Sequence, residues 1–220
     1  MTFAKFRCSL GLICLCAGLD AQTALEPPQP APKLYVTDNY GLMLKVPQGL
    51  RYCPLPEGWT GSDHGTALFL EAPSGCIPSR AYASSSRPTP EFVPAIYLYY
   101  AYNVVEIERG NGQSSPPRTS AEYAQRYCKK PFLPVPPGLT LLGKPALGCR
   151  HDDGDRVEIS LKAVFDGGES GMDVTLSTTR QRLARDLRVL SSVASEISEC
   201  QPSWDKKKHE RPACPQTGSW

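Results

Sequence analysis

The chain has 220 residues, with 24 Lys and Arg against 22 Asp and Glu, for a formal net charge of +2. At 40% hydrophobic and 21% charged it can bury a core, which excludes a low-hydrophobicity disordered chain. The balanced charge argues against nucleic acid as the ligand, because phosphate backbones demand a concentrated cationic surface.

Residues 1–21 read as a secretory signal peptide. Lys5 and Arg7 form its positive start, residues 10–18 its apolar run, and Ala21 the small residue before cleavage. That run is shorter than the roughly 20 residues needed to cross a bilayer, and no later segment approaches this length. The expected mature protein is therefore exported, periplasmic or secreted, with no membrane span. Removing the signal takes away Cys8, Cys14 and Cys16 and leaves Cys53, Cys76, Cys128, Cys149, Cys200 and Cys214. An even number of cysteines in an oxidising compartment points to disulfides. Chain order makes Cys53–Cys76, Cys128–Cys149 and Cys200–Cys214 the simplest pairing, among others that the sequence leaves open. A metal site built from Cys149 and His151, or from Cys200, His209 and Cys214, would lack paired C-x-x-C spacing. No metal or other cofactor is expected.

Residues 22–33 carry Pro27, Pro28, Pro30 and Pro32 and read as an extended linker. The folded domain is expected over residues 34–199. A short strand at 34–36 and a turn at Asn39-Tyr40-Gly41 lead into Leu42, Leu44 and Val46, which alternate with Met43 and Lys45 until Pro47 ends the strand. Residues 66–71 form a further candidate strand, and residues 73–94 a long surface loop. The sequence AIYLYYAYNVVEI at 95–107 places Ile96, Leu98 and Tyr100 on one face and Tyr97, Tyr99 and Ala101 on the other. Both faces are apolar or aromatic, as in a central strand covered on each side.

Thr119-Ser-Ala-Glu122 is a capping box, which starts a helix with Tyr123, Ala124 and Tyr127 on one face and Cys128 alongside; Pro131 stops it. Strands are expected at 139–142 and 146–150, then a turn at 152–155. A strand at 156–165 follows, with Val157, Ile159 and Leu161 on one side. Gly167-Gly168 turns the chain into a partner strand at 172–177. Leu183, Leu187, Leu190, Ala194 and Ile197 form one stripe at helical period, opposite Arg182, Arg185, Arg188 and Ser192, with Thr178 or Thr179 as the cap. Residues 200–220 form a polar tail. The fold class is α+β, a mostly antiparallel sheet packed against an inserted helix and a C-terminal amphipathic helix.

The opening strand Asn39-Tyr-Gly-Leu-Met-Leu-Lys-Val-Pro47, the hairpin over 157–177 and the closing helix over 179–197 occur in a telling order. By element order over residues 34–199, the chain resembles the PsbP/DcrB-type module of exported bacterial and thylakoid proteins. That resemblance implies an α+β fold and, as one function, a passive envelope or photosystem-type accessory subunit.

Chemistry is sparse. No G-x-S-x-G elbow occurs, and Ser203-x-x-Lys206 matches a catalytic spacing only by letters within the polar tail. His64, His151 and His209 are the three histidines and lie far apart in sequence. Asp152-Asp153-Gly154-Asp155 lacks the spacing of a calcium loop and reads as a hairpin turn. Lys206-Lys-Lys208 is flanked by Asp205 and Glu210, as in a solvated tail. Aromatics remain: Tyr97 and Tyr99 within a tyrosine cluster, and Trp59 in a turn with Gly58 and Gly61. Tyrosine and tryptophan bring rigid area with a polar handle, so Trp59, Tyr97 and Tyr99 are the candidate binding residues. The competing reading of the tyrosines is a sheet core. The expected function is a non-catalytic exported binding protein for another protein, most concretely a periplasmic inhibitor or immunity protein against a secreted toxin or enzyme. The alternatives are an envelope hydrolase using His64 or His151, and the accessory subunit.

Overall fold

Val157, Ile159, Leu161 and Ala163 alternate with Glu158, Ser160 and Lys162, a period of two that makes one long strand. The computed structural model describes residues 27–31, 34–37, 41–52, 65–73, 92–101, 112, 115–128 and 133–199. Its strands are β1 (Gln29–Pro30), β2 (Leu34–Thr37), β3 (Leu42–Lys45), β4 (Arg51–Tyr52), β5 (Gly65–Phe69) and β6 (Ala95–Ala101). They continue with β7 (Thr140–Leu141), β8 (Lys144–Pro145), β9 (Leu147–Asp153), β10 (Arg156–Phe165), β11 (Ser170–Thr179) and β12 (Ile197–Glu199). Helix α1 covers Ser120–Tyr127 and helix α2 covers Leu183–Ser195. The class is α+β.

The main sheet has seven strands in the order β1-β4-β5-β6-β11-β10-β9, with every neighbouring pair antiparallel. Register sets its two faces. Ile159 stands opposite Leu176 and Leu161 opposite Val174, while Ile96 and Leu98 on β6 face the same two β11 residues from the other side. All six are fully buried. Each contributes about 1.5–3 kcal/mol relative to exposure. Helix α2 covers this face with Leu190, Val193 and Ala194. A second sheet in the order β12-β3-β2 pairs Ile197 with Leu44, and both side chains join the same core.

Helix α1 begins at the expected capping box. Thr119 Oγ1 accepts from the Glu122 N–H, and Glu122 Oε2 accepts from the Thr119 N–H. Ser120 Oγ accepts from the Val164 N–H at 3.0 Å, which anchors the helix start to β10.

Five expectations are corrected. The proline-rich segment 22–33 is not wholly outside the fold, because Gln29–Pro30 pairs with Arg51–Tyr52 at one edge of the main sheet. An edge is where a residue without an N–H fits. The tyrosine-rich strand is not covered on both faces along its described length, since Tyr99 is 52% exposed. Leu142 is not in a strand: it has φ +52° and, with Gly143 at φ +69°, makes the two-residue turn between β7 and β8. Ile197 lies beyond the helix, in β12, where pairing with Leu44 of β3 leaves it buried in the core. The N-cap of α2 is Arg182 rather than a threonine, and Thr178 Oγ1 instead donates to Asp186 Oδ2 at 2.5 Å.

Candidate functional site

Alternation along β9, β10, β11 and β6 sends a second set of side chains to the side of the sheet away from α2. In one cross-strand row stand Tyr99, Asp173, Lys162 and Leu147; in the next, Tyr97, Thr175, Ser160 and Cys149. A third row carries Ala95, Ser177, Glu158 and His151. Between these rows and α1 lies an open recess of about 480 Å³, lined by His151, Glu158, Ser160, Lys162, Asp173 and Thr175 among others.

Tyr97 and Tyr99 share this face because they sit two residues apart on one strand. Their rings are nearly parallel, 8° between planes and 6.0 Å between centroids. Burial, with the charge of Glu158, raises the Tyr97 phenol above its ordinary value. For Tyr99 burial acts first, followed by Tyr97, Glu158 and Asp173. Both phenols therefore stay protonated at neutral pH and present an O–H to a partner. Beside them Thr175 Oγ1 donates to Ser160 Oγ at 3.0 Å, and the Arg156 guanidinium lies 4.7 Å from the Phe92 ring centroid.

At the α1 end the face closes over a charge pair. Lys162 Nζ donates to Asp173 Oδ2 at 2.6 Å, with the Lys162 side chain 5% exposed. The Tyr123 ring centroid lies 5.7 Å from the same Nζ, and Tyr123 packs against Tyr127 with ring centroids 4.7 Å apart. Burial, then the Asp173 carboxylate, pushes the Tyr123 phenol far above the ordinary tyrosine range. Asp173 Oδ1 is buried and has no hydrogen-bond partner among the described residues. The Cys128–Cys149 disulfide, with Cα atoms 5.8 Å apart, fixes the C-terminal end of α1 to β9 on this face.

The fold brings the candidate binding residues Tyr97 and Tyr99 together on the side of the sheet away from α2. Trp59 and His64 lie outside the described residues, as do His209, Cys53, Cys76, Cys200 and Cys214. His151 is exposed on the same face, in register with Glu158. The sulfur of Cys149 is bound to Cys128, which removes it from the metal set considered with His151. Asp152 accepts two hydrogen bonds from Arg150 at 2.7 and 2.8 Å and pairs with Arg180, so its carboxylate is committed within the hairpin. Those Arg150 hydrogen bonds, with both arginine charges, hold the Asp152 carboxyl below its ordinary value. Lys162, Asp173, Ser160, Thr175 and Glu158 were not singled out from the sequence. Their signal was available in the polar half of the alternation that marked the strands.

Among the described residues no helix is long and apolar enough to cross a membrane. No protein-family model matches the chain, and no curated protein matches it in sequence.

Proposed function

We propose that this chain is an exported, non-catalytic protein that binds another protein, most concretely a periplasmic inhibitor or immunity protein that holds a secreted toxin or enzyme. The observation that carries the reading is the nearly parallel pair of a half-buried Tyr97 and an exposed Tyr99 beside a polar recess, on a sheet whose other side is core. Large rigid aromatics with a free hydroxyl are the side chains that dominate protein recognition. A sheet holds them with little entropy to lose on binding. The Cys128–Cys149 disulfide supports an oxidising compartment, hence export. Glu158 and Asp153 outnumber Arg156 among the exposed Asp, Glu, Lys and Arg side chains lining the recess, so the partner is expected to bring a basic group to it.

The test begins with the purified protein as bait in an envelope extract, followed by calorimetry against the purified captured protein. Tyr99→Ala is expected to weaken binding by about 2 kcal/mol or more while leaving the melting midpoint nearly unchanged. His151→Ala should leave binding intact. The hydrolase reading predicts the reverse: His151→Ala or His64→Ala abolishes an activity, and Tyr99→Ala changes only substrate affinity. Unaltered binding in Tyr97→Ala, Tyr99→Ala and Trp59→Ala together would reject the proposed surface.

A further inference from the structure

The other side of the molecule carries a second concavity that the proposed recognition face does not use. Helix α2 turns Arg182, Arg185 and Arg188 toward the segment after β3, and with Gln48 and Gly49 they line an open recess of about 470 Å³. The charges in it are unequally matched. Asp186 is the carboxylate within the lining, 1% exposed, and is already committed. It accepts from Thr178 Oγ1 at 2.5 Å and from the Nε atoms of Arg182 and Arg185, each at 3.1 Å.

Glu71 supplies the other carboxylate from outside the recess. Its Oε1 takes the Nη1 of Arg182 and lies 3.5 Å from the Nη2 of Arg185. The Arg182 hydrogen bond, together with both arginine charges, holds the Glu71 carboxyl below its ordinary value. Two guanidinium positions remain unfilled. Arg182 Nη2 is buried without an acceptor among the described residues, although Arg182 is only 17% exposed. Arg188 is exposed and makes no hydrogen bond or ion pair among them. A buried cationic donor without an acceptor is costly, and an oxyanion that reaches it once Glu71 has swung away removes that cost.

We propose that this recess is a binding site for a phosphate group, with the Glu71 carboxylate at its rim engaging Arg182 and Arg185 in the free protein as an internal substitute. With Glu71 displaced, three guanidiniums face the single carboxylate of Asp186, a balance of two positive charges that matches a phosphate dianion. Phosphate also brings more acceptor oxygens than one carboxylate, enough to engage Arg182, Arg185 and Arg188 together. Guanidinium forks bind such oxygens bidentately. Glu71 sits 52% exposed, so it can swing into solvent without unpacking the core.

The probes are inorganic phosphate and phosphatidylcholine vesicles with or without phosphatidic acid, titrated against the purified full chain at low salt. Saturable binding of inorganic phosphate is expected. Glu71→Gln should tighten it about tenfold by removing the competing charge, and Arg188→Ala should weaken it about tenfold or more. Arg188 has no partner to lose among the described residues, so its melting midpoint should stay put and the loss will report on binding alone. Binding to phosphatidic acid vesicles without binding to free phosphate, still lost in Arg188→Ala, would support the site with a lipid headgroup as its source. No saturable binding to either probe in the millimolar range, or an affinity unchanged by both substitutions, overturns the proposal. The Glu71–Arg182 pair would then be structural only.

Discussion

Lys162 and Asp173 stand directly opposite each other on β10 and β11, and their side chains meet at 2.6 Å beneath the ring of Tyr123. A buried charge whose partner is removed is left uncompensated, whereas a pair replaced by apolar groups loses little. Asp173 is partly exposed, which softens the loss. Asp173→Ala should therefore cost about 2–3 kcal/mol in denaturant melts, below the 3–5 kcal/mol of a fully buried pair. The double substitution Lys162→Met, Asp173→Leu should cost less than that single change. A double variant as unstable as the sum of its two single variants would mean the residues do not act as a pair.

Gly148 lies on β9 where a Cβ would fall 1.9 Å from the Ser160 carbonyl oxygen. That contact is with backbone of the neighbouring strand and cannot be relieved by a rotamer change. Gly154, in the turn between β9 and β10, has φ +58° but open space around its Cα. Gly154→Ala should cost about 1–2 kcal/mol through backbone conformation alone. Gly148→Ala should cost clearly more, and equal midpoints for the two variants would contradict the described β9–β10 approach.

On α2, Leu190 is fully buried while Leu187 is only partly so. Leu190→Ala should cost about 2–5 kcal/mol as a core truncation, and Leu187→Ala less. Chemical denaturation of both variants checks the order. A larger loss at Leu187 would mean the helix is rotated about its axis from the orientation described.

The Tyr123 phenol is raised by burial and by Asp173, so its folded value lies above the ordinary 10.0. Above pH 10.0 the unfolded chain loses this proton while the folded chain keeps it, and stability then falls with rising pH. Below that point the contribution is complete. Melts of wild type and Tyr123→Phe at about pH 9 and about pH 11 should show a smaller alkaline loss in the variant. Equal losses would place the alkaline transition on other groups.

The Cys128–Cys149 bridge spans a sequence separation of 21 and joins α1 to the sheet. Replacing both cysteines by serine should cost about 3 kcal/mol in the chain-entropy model. Hydrogen exchange should quicken in α1 before it quickens in β10 or β11. Uniform acceleration across all three elements would show that the bridge stabilises the whole domain rather than tethering the helix.

Much of the local structure was legible along the chain. Thr119 and Glu122 announced the start of α1, since a capping box satisfies its own backbone donors and needs no distant partner. Val157, Ile159 and Leu161 announced β10, and the Gly167-Gly168 turn announced its hairpin, because period and turn chemistry are local properties. The stripe through Leu190 and Ala194 announced α2 for the same reason. Cys128–Cys149 was the simplest of the pairings left open, the shortest closure for either cysteine, and the structure joins these two.

Only tertiary structure decided which side of β6 became the core. Ile96 and Leu98 are buried and Tyr97 and Tyr99 face outward because α2 settles on one face of the sheet, and both faces of that strand were apolar or aromatic in sequence. Ile197 continued the helical stripe by spacing alone, yet its pairing with Leu44 comes from the far end of the chain. Glu71 and Arg182 meet across a separation of 111 residues, and Tyr99, Asp173, Lys162 and Leu147 converge from four strands. Periodicity reports how a residue relates to its near neighbours. It carries no information about which distant segment lies across from it, and both the tyrosine face and the arginine recess are built from such pairings.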